Sequence, residues 1–421
     1  MSSSDKTIIT NIPYTTINIY SEIKSIFDSI DDINLINNID YPKCSIGFQH
    51  YIHSLRKDKE ILKQYENKKK VYLVTNEFEL EIDNYDDTIK KNVYKFLNLK
   101  DSNILPLDFY KFWEIFFMFD IIDNTNKIKT LIMADDGSVS QSILSFREKY
   151  SKEYKNDLLD ILKIEDINLD VNLQQFNKNI IDNHKNKKIE IKLENEIKDK
   201  YDLILGCGNI IETDNENTLE QDYFNLLFIQ ITNAFKYSKK NGNFVIKIYE
   251  TFTNITSKII ALLISSYEKV FMVKPLTSKT YLSDRYLVCI GFKEKDADIK
   301  KIENIKNKIV KNNKLKTVDI FSKYEINQQL KLKMIQMNVH ITNLIFKSVG
   351  KMINFINSQN FYGDEYQNYR EEQIKSTNYW TKMFLPDNKD FKENKKNITE
   401  NSILSNKMIM DNMTKLNKEI K

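Results

Sequence analysis

Gly242-Asn243-Phe244-Val245-Ile246-Lys247-Ile248-Tyr249-Glu250 reads as an apolar strand opened by glycine, with one lysine in its middle. After it come a Lys-Pro turn, Lys274-Pro275-Leu276-Thr277-Ser278-Lys279, and then Ser283-Asp284-Arg285-Tyr286-Leu287-Val288-Cys289, where an acid stands just ahead of a second apolar strand. Working outward, strand-like runs at 130–134, 203–206, 244–249, 270–273 and 286–292 alternate with helical stretches at 223–235 and 256–267. Such alternation is what a doubly wound, mostly parallel sheet requires. One more strand is expected at 189–193, inside an Asn/Lys/Asp-rich insertion.

Upstream, Tyr110-Lys111-Phe112-Trp113-Glu114-Ile115 reads as a buried helix carrying a lysine. The run Thr130-Leu131-Ile132-Met133-Ala134-Asp135-Asp136-Gly137-Ser138-Val139-Ser140-Gln141 is a strand, a turn and the start of a helix. Tyr201-Asp202-Leu203-Ile204-Leu205-Gly206-Cys207-Gly208-Asn209 is a strand ending between two glycines. Taken in order over roughly residues 105–293, these segments resemble the FtsJ/RrmJ family of RNA ribose 2′-O-methyltransferases, in particular its cap-specific viral and eukaryotic members.

The resemblance implies an α/β Rossmann-like core that uses S-adenosylmethionine, with Lys111, Cys207, Lys247 and Asp284 at the catalytic positions. The loop Ala134, Asp135, Asp136, Gly137, Ser138 and the pair Gly206 and Gly208 would then face the cofactor, and no metal is implied. Three departures stand out. The family's Glu-Ala-Pro-Gly loop is here Ala134-Asp135-Asp136-Gly137, its glutamate is the shorter Asp284, and its catalytic aspartate is Cys207.

Methyl transfer to a ribose hydroxyl needs in-line placement, loss of the hydroxyl proton and tolerance of positive charge. A lysine serves as the base only when neutral, so its ordinary pKa of about 10.4 has to fall, and burial beside a second cation lowers it. That gives Lys111 a purpose beside Lys247. A thiol, with an ordinary pKa of about 8.5, leaves the site one permanent negative charge short. Gly137 and Ser138, at a strand-to-helix turn, are expected to offer backbone N–H groups to the cofactor's carboxylate.

With 421 residues, 41% hydrophobic and 12% aromatic, the chain has ample material for a large core and is unlike a disordered one. Abundant Asn, Ile and Lys beside only 8 Gly and 5 Pro reflect an AT-rich genome such as that of a large DNA virus or a protist. A net charge of +4 gives no overall pull on nucleic acid, so any RNA contact has to come from local patches. Lys300 to Lys316, with seven lysines against Glu303, is the candidate patch. Three scattered cysteines fit a reducing, cytoplasmic setting (host cytoplasm or virion if viral), and no apolar run is long enough for a membrane span or a secretory signal.

Three regions are expected: an N-terminal mixed α/β extension at 1–100, the methyltransferase-like core at 101–293 and a helical extension at 294–421. Within the first, 47–55 reads as a helix bearing His50 and His53, and 71–75 with 78–82 as a strand pair. Nothing nearby completes a metal set for the two histidines. Within the last, apolar residues from Ile326 to Ile356 at three-to-four spacing mark a long helix packing on the core, and the tail from Asn388 reads as polar and loosely ordered. Two functions follow from the resemblance. One is an mRNA cap 2′-O-ribose methyltransferase whose partner is capped RNA. The other is an inert methyltransferase-like binding subunit of a capping or virion assembly with partner proteins.

Overall fold

The lysine strand lies inside an eight-stranded sheet in the computed structural model of the protein. The structure describes residues 107–402 except 165–188, 209–218, 294–295 and 313–314, and, before them, 15–18, 26–29, 33–36, 88–99 and parts of 47–78. The strands are β1 (Thr15–Asn18), β3 (Lys129–Met133), β4 (Leu158–Leu162), β5 (Ile189–Lys192), β6 (Tyr201–Gly206), β7 (Ser238–Ile248), β8 (Tyr267–Lys274) and β9 (Arg285–Phe292), while β2 (Ile33–Ile36) pairs elsewhere. Their order across the sheet is β1-β8-β9-β7-β6-β3-β4-β5. From β5 to β7 all pairs are parallel, β9 runs antiparallel between β7 and β8, and β1 adds antiparallel to β8. The chain leaves β3 in one direction towards β4 and β5 and later returns to lay β6 on β3's other side. The crevice of such a sheet opens there, at the carboxyl ends of the strands.

The period of two along each strand sorts side chains onto two faces. On one face Ile132, Leu203, Leu205, Cys207, Val245, Val273, Tyr286 and Val288 pack with α3 (Leu107–Met118), α4 (Ser138–Tyr150) and α9 (Asp364–Phe384). On the other, Leu131, Ile204, Phe244, Ile246, Met272, Leu287 and Cys289 pack with α5 (Leu219–Tyr237), α6 (Asn254–Ser266), α7 (Asp296–Lys311) and α8 (Gln328–Ser358). Lys247 follows Val245 by two residues and Cys207 follows Leu205 by two, so both point to the α3 face.

The terminal regions wrap this core. The helix α1 (Arg56–Lys63) packs on α8 and α2 (Thr88–Leu97) on α9, while Ile26, Phe27, Ile52 and Val71 join the α5/α6 side. Gly47, His50 and Ile52 are helical, as the reading of 47–55 expects, while His53 lies outside the described residues. The expected strand at 71–75 does not form where described, since Val71 is helical and Val74 and Thr75 are in a turn; of its partner only Phe78, also in a turn, is described. Nor is the chain helical throughout after Phe292. β10 (Lys316–Ile320) pairs antiparallel with β2, a partner some 280 residues away that no local periodicity reveals. The long helix expected from Ile326 is α8, and its apolar stripe enters the core. The tail is more ordered than its polarity suggests: residues 391–402 are helical, Phe391 stacks on Tyr150 at 4.2 Å and Ile398 is buried.

A polar tie fastens α8 to the sheet. Buried Asn338 accepts from Arg285 Nη1 at 3.1 Å and Thr251 Oγ1 at 2.5 Å, and donates to the Thr251 carbonyl at 3.0 Å. Asn338→Leu removes all three bonds and takes the Asn338 acceptor from the buried Arg285, which keeps the Ser283 carbonyl and Thr251 Oγ1, so urea denaturation should show a loss of about 3 kcal/mol.

Candidate active site

The register of the sheet brings the distant lysine, cysteine and acid together. Gly206 pairs with Ile246, so Cys207 and Lys247 each lie one residue beyond a matched pair on neighbouring strands. Lys247 in turn faces Tyr286 across β9, which places Asp284 at the same end of the sheet. Over this end lies the start of α3, where Asp108, Lys111 and Glu114 form a polar stripe at three-residue spacing on an otherwise apolar helix. All of the four catalytic candidates are buried.

Two carboxylates hold three ammonium groups. Lys111 Nζ lies 3.0 Å from Asp108 and 3.1 Å from Asp284, Lys247 Nζ lies 3.2 Å from Asp108, and Lys274 Nζ lies 3.1 Å from Asp284. Ser278 Oγ donates to Asp284 at 2.9 Å and Tyr286 Oη to Asp108 at 3.2 Å. Lys274 also donates to the carbonyls of Leu282 and Asp284, which pins the loop before β9. Glu114 fixes the Lys-Pro turn: it accepts from the backbone N–H of Leu276 and Thr277, from Thr277 Oγ1 and from Trp380 Nε1.

Burial and charge set the protonation states. Burial pushes Asp108 and Asp284 up, but the facing lysines outweigh it and hold both carboxyls well below the usual range. Burial is the largest influence on Lys247 and, with Lys111, lowers it, yet Asp108, Tyr249 and Asp284 together more than offset this and Lys247 ends above the ordinary lysine value. The sequence reading expects the reverse, a depressed Lys247 beside Lys111, because it has no acid between them. Lys274 is the one of the three that burial brings down, to about 8, against the pull of Asp284. Cys207 goes well above the usual thiol value, through burial first and then the nearby Asp135, Asp108 and Asp136, so it stands neutral.

The loop after β3 is closed on itself. Asp135 accepts from the backbone N–H of Val139 and Ser140 at 3.2 and 2.9 Å and from Ser140 Oγ, while Asp136 accepts from Ser138 N–H and Oγ at 3.0 and 2.6 Å. The helix-start donors that the sequence reading assigns to a ligand carboxylate are thus taken by this loop's own acids. Burial, with Asp136 adding to it, raises Asp135 to about 6. Ala134 and Gly208 both have positive φ and pack together, and a Cβ on Gly208 would lie 3.2 Å from that of Ala134. Close packing of β3 against β6 explains this glycine. At Gly206 a Cβ would lie 3.0 Å from Ile246.

Sequence reasoning missed Asp108 and gave no role to Lys274 or Glu114. The signal for Asp108 was its place one helical turn before Lys111. Lys306, in the expected basic patch, is buried and paired with Glu194 at 2.5 Å and Asn233 at 3.1 Å, on the side of the sheet where β6 begins and away from the site. Among the described residues no group of His, Cys, Asp and Glu is arranged to hold a metal ion, and no helix is long and apolar enough to cross a membrane.

A second buried acid supports the loop after β7. Glu220 accepts from Phe252 and Thr253 N–H, and burial with the nearby Glu250 raises it to about 7. Between roughly pH 4.5 and 7 the folded chain keeps a proton that the unfolded chain has released, so this group makes stability fall as pH rises through that window. Glu220→Gln should flatten that part of the dependence of the melting temperature on pH.

Comparison with known proteins places these observations. Residues 109–292 match the family described as FtsJ-like methyltransferase. Protein R383 of Acanthamoeba polyphaga mimivirus is 25% identical over 282 residues, which cover 67% of this chain and 66% of that one. The cap-specific mRNA (nucleoside-2'-O-)-methyltransferase 2 of Drosophila melanogaster is 26% identical over 132 residues, covering 31% of this chain and 19% of that protein. The cap-specific mRNA (nucleoside-2'-O-)-methyltransferase 1 of Dictyostelium discoideum is 34% identical over 90 residues, covering 21% and 12%. The chain therefore spans under a fifth of those two relatives. Among solved structures, a putative ribosomal RNA methyltransferase from Plasmodium falciparum aligns with TM-score 0.31 and 19% identity, covering 46% of this chain and 100% of that one. The stretch that forms the sheet from β3 to β9 and gathers Lys111, Cys207, Lys247 and Asp284 is the one, residues 109–292, that the FtsJ-like methyltransferase family matches.

Proposed function

We propose that the protein is an S-adenosylmethionine-dependent RNA 2′-O-ribose methyltransferase acting on mRNA caps. The observation that carries this reading is the arrangement of Lys247, Lys111 and two ionised carboxylates at the carboxyl ends of the strands, beside the β3–β6 crevice. The cap-specific relatives supply the substrate class. The residues suit the cationic end of such a cofactor, because Asp135, Asp136 and Asp108 all act on Cys207 at the strand end. They do not suit its carboxylate at the start of α4, where the donors are already bonded, so that carboxylate would be held elsewhere.

When bound, S-adenosylmethionine supplies a methyl group on a sulfonium. Lys247 and Lys111 would place the ribose 2′-oxygen, and Lys247 Nζ would take its proton. Lys247 has first to become neutral. A bound cation beside it would disfavour the ammonium form, which works against the hold of Asp108. Burial of Lys247 adds to that push.

The test is to incubate the chain with isotope-labelled S-adenosylmethionine and capped or uncapped RNA, digest to nucleosides and identify the labelled product by mass spectrometry. A 2′-O-methylated nucleoside next to the cap is expected, and label on a base would reject the reading. The alternative of an inert binding subunit draws on the self-bonded β3–α4 loop. Calorimetry showing no binding of S-adenosylmethionine or S-adenosylhomocysteine would favour it.

A further inference from the structure

We propose that Asp108 is the fixed negative charge of this site, a positioning residue on α3 that performs the counter-ion task which Cys207, at the end of β6, cannot. The inference rests on the methyl-transfer reading above and adds a residue to it. Among the described residues, the groups facing Lys247 include Asp108 and Lys111 from α3, Cys207 just beyond β6, Tyr249 just beyond its own strand, Asp284 just before β9 and Tyr286 from β9, while Tyr223 of α5 donates to its carbonyl. Cys207 is buried and uncharged beside three acids. Asp284 is committed to Lys111, Lys274 and Ser278, and Asp135 to the start of α4. Asp108 is the carboxylate that touches both Lys111 and Lys247, one oxygen to each, at 3.0 and 3.2 Å.

The position of Asp108 is built for this. It lies in the first turn of α3, where the helix dipole favours an anion, and one turn from Lys111, so the pair is set by helical geometry alone. Tyr286 Oη donates to the same oxygen that meets Lys111, which fixes the carboxylate plane. The acid thus reaches the two lysines from the helix above the strand ends. With Asp284 it sets two negative charges against Lys111, Lys247 and Lys274, the last of which burial brings down to about 8.

The experiment is a double-variant cycle on the full chain with Asp108→Asn, Cys207→Asp and the two combined. The ¹³Cε resonance of Lys247, assigned with Lys247→Arg, is titrated in each, and methyl transfer to capped RNA is measured in parallel. Loss of a contacting carboxylate should lower the Lys247 pKa by about 1–3 units in Asp108→Asn. Transfer should fall by about 10²-fold as the lysines lose their common anchor. Adding Cys207→Asp should return most of both changes, whereas alone it should bring no gain, because the site already has its charge. An unchanged Lys247 titration in Asp108→Asn, or a double variant no better than Asp108→Asn, overturns the proposal. A purely structural Asp108 would not be rescued from another strand. Asp108→Ser gives the same comparison should the amide prevent folding. If the native chain transfers no methyl group the methyl-transfer reading falls, while the Lys247 titration still decides the role of Asp108.

Discussion

Lys247→Ala is expected to abolish methyl transfer, with a loss of about 10³-fold or more in rate and little change in cofactor affinity. General-base catalysis alone contributes about 10²–10⁴-fold, and positioning of the ribose adds to it. The side chain is buried and its ammonium is anchored on Asp108, while Tyr223 Oη donates to its backbone carbonyl at 2.9 Å, so the base is fixed from both ends. The alanine variant leaves Lys111 and Asp284 in their pair. Single-turnover assays with isotope-labelled cofactor, alongside calorimetry of S-adenosylhomocysteine, separate lost chemistry from lost binding. Equal rates in the native chain and Lys247→Ala would remove this lysine from the mechanism.

The largest expected effect on stability lies at Trp380, far from the site in sequence. Its indole is fully buried, packs near Phe384 and Tyr110 at 5.3 and 6.0 Å, and donates to Glu114 at 3.0 Å. Truncation to alanine opens a cavity and removes a donor from a buried carboxylate, a cost of about 3–5 kcal/mol from the ring with about 1–3 kcal/mol more from the lost bond. Guanidinium denaturation of Trp380→Ala should show the sum. Trp380→Phe, which keeps most of the ring and loses the N–H, should show chiefly the second part. Because Glu114 also holds Leu276 and Thr277, the phenylalanine variant should slow transfer more than its stability loss explains.

Much of this arrangement was legible before any coordinates. Strands β3 and β6 to β9 declare themselves by short apolar runs between turns, and Lys247 is conspicuous as the one charge within such a run. The alternation of those runs with helices specifies a doubly wound sheet. What the sequence did not disclose depends on approach between distant segments. Asp108 is an ordinary first-turn acid until α3 lies over β7, 139 residues away. Lys274 reads as part of a turn, and only the fold buries it between carbonyls and Asp284. The β2–β10 pair has no local sign at either strand, and the polar tail from Asn388 conceals Phe391 and Ile398, whose partners lie on the α3 face. The acids of the β3–α4 loop were visible, but which donors they take is a matter of backbone geometry.

The bond from Trp380 to Glu114 spans 266 residues, and that from Trp113 to the carbonyl of Phe384 spans 271. At roughly 5–20 residues per second, synthesis delivers α9 roughly 13 to 55 seconds after α3 has left the ribosome. For that interval the aromatic face of α3, with Phe109, Tyr110, Phe112, Trp113, Phe116 and Phe117, has its sheet partners only in part and its α9 cover not at all. Until α9 is made, the nascent chain therefore displays a sticky, tryptophan-bearing surface of the kind that holding chaperones bind, and α9 is the helix whose docking covers it.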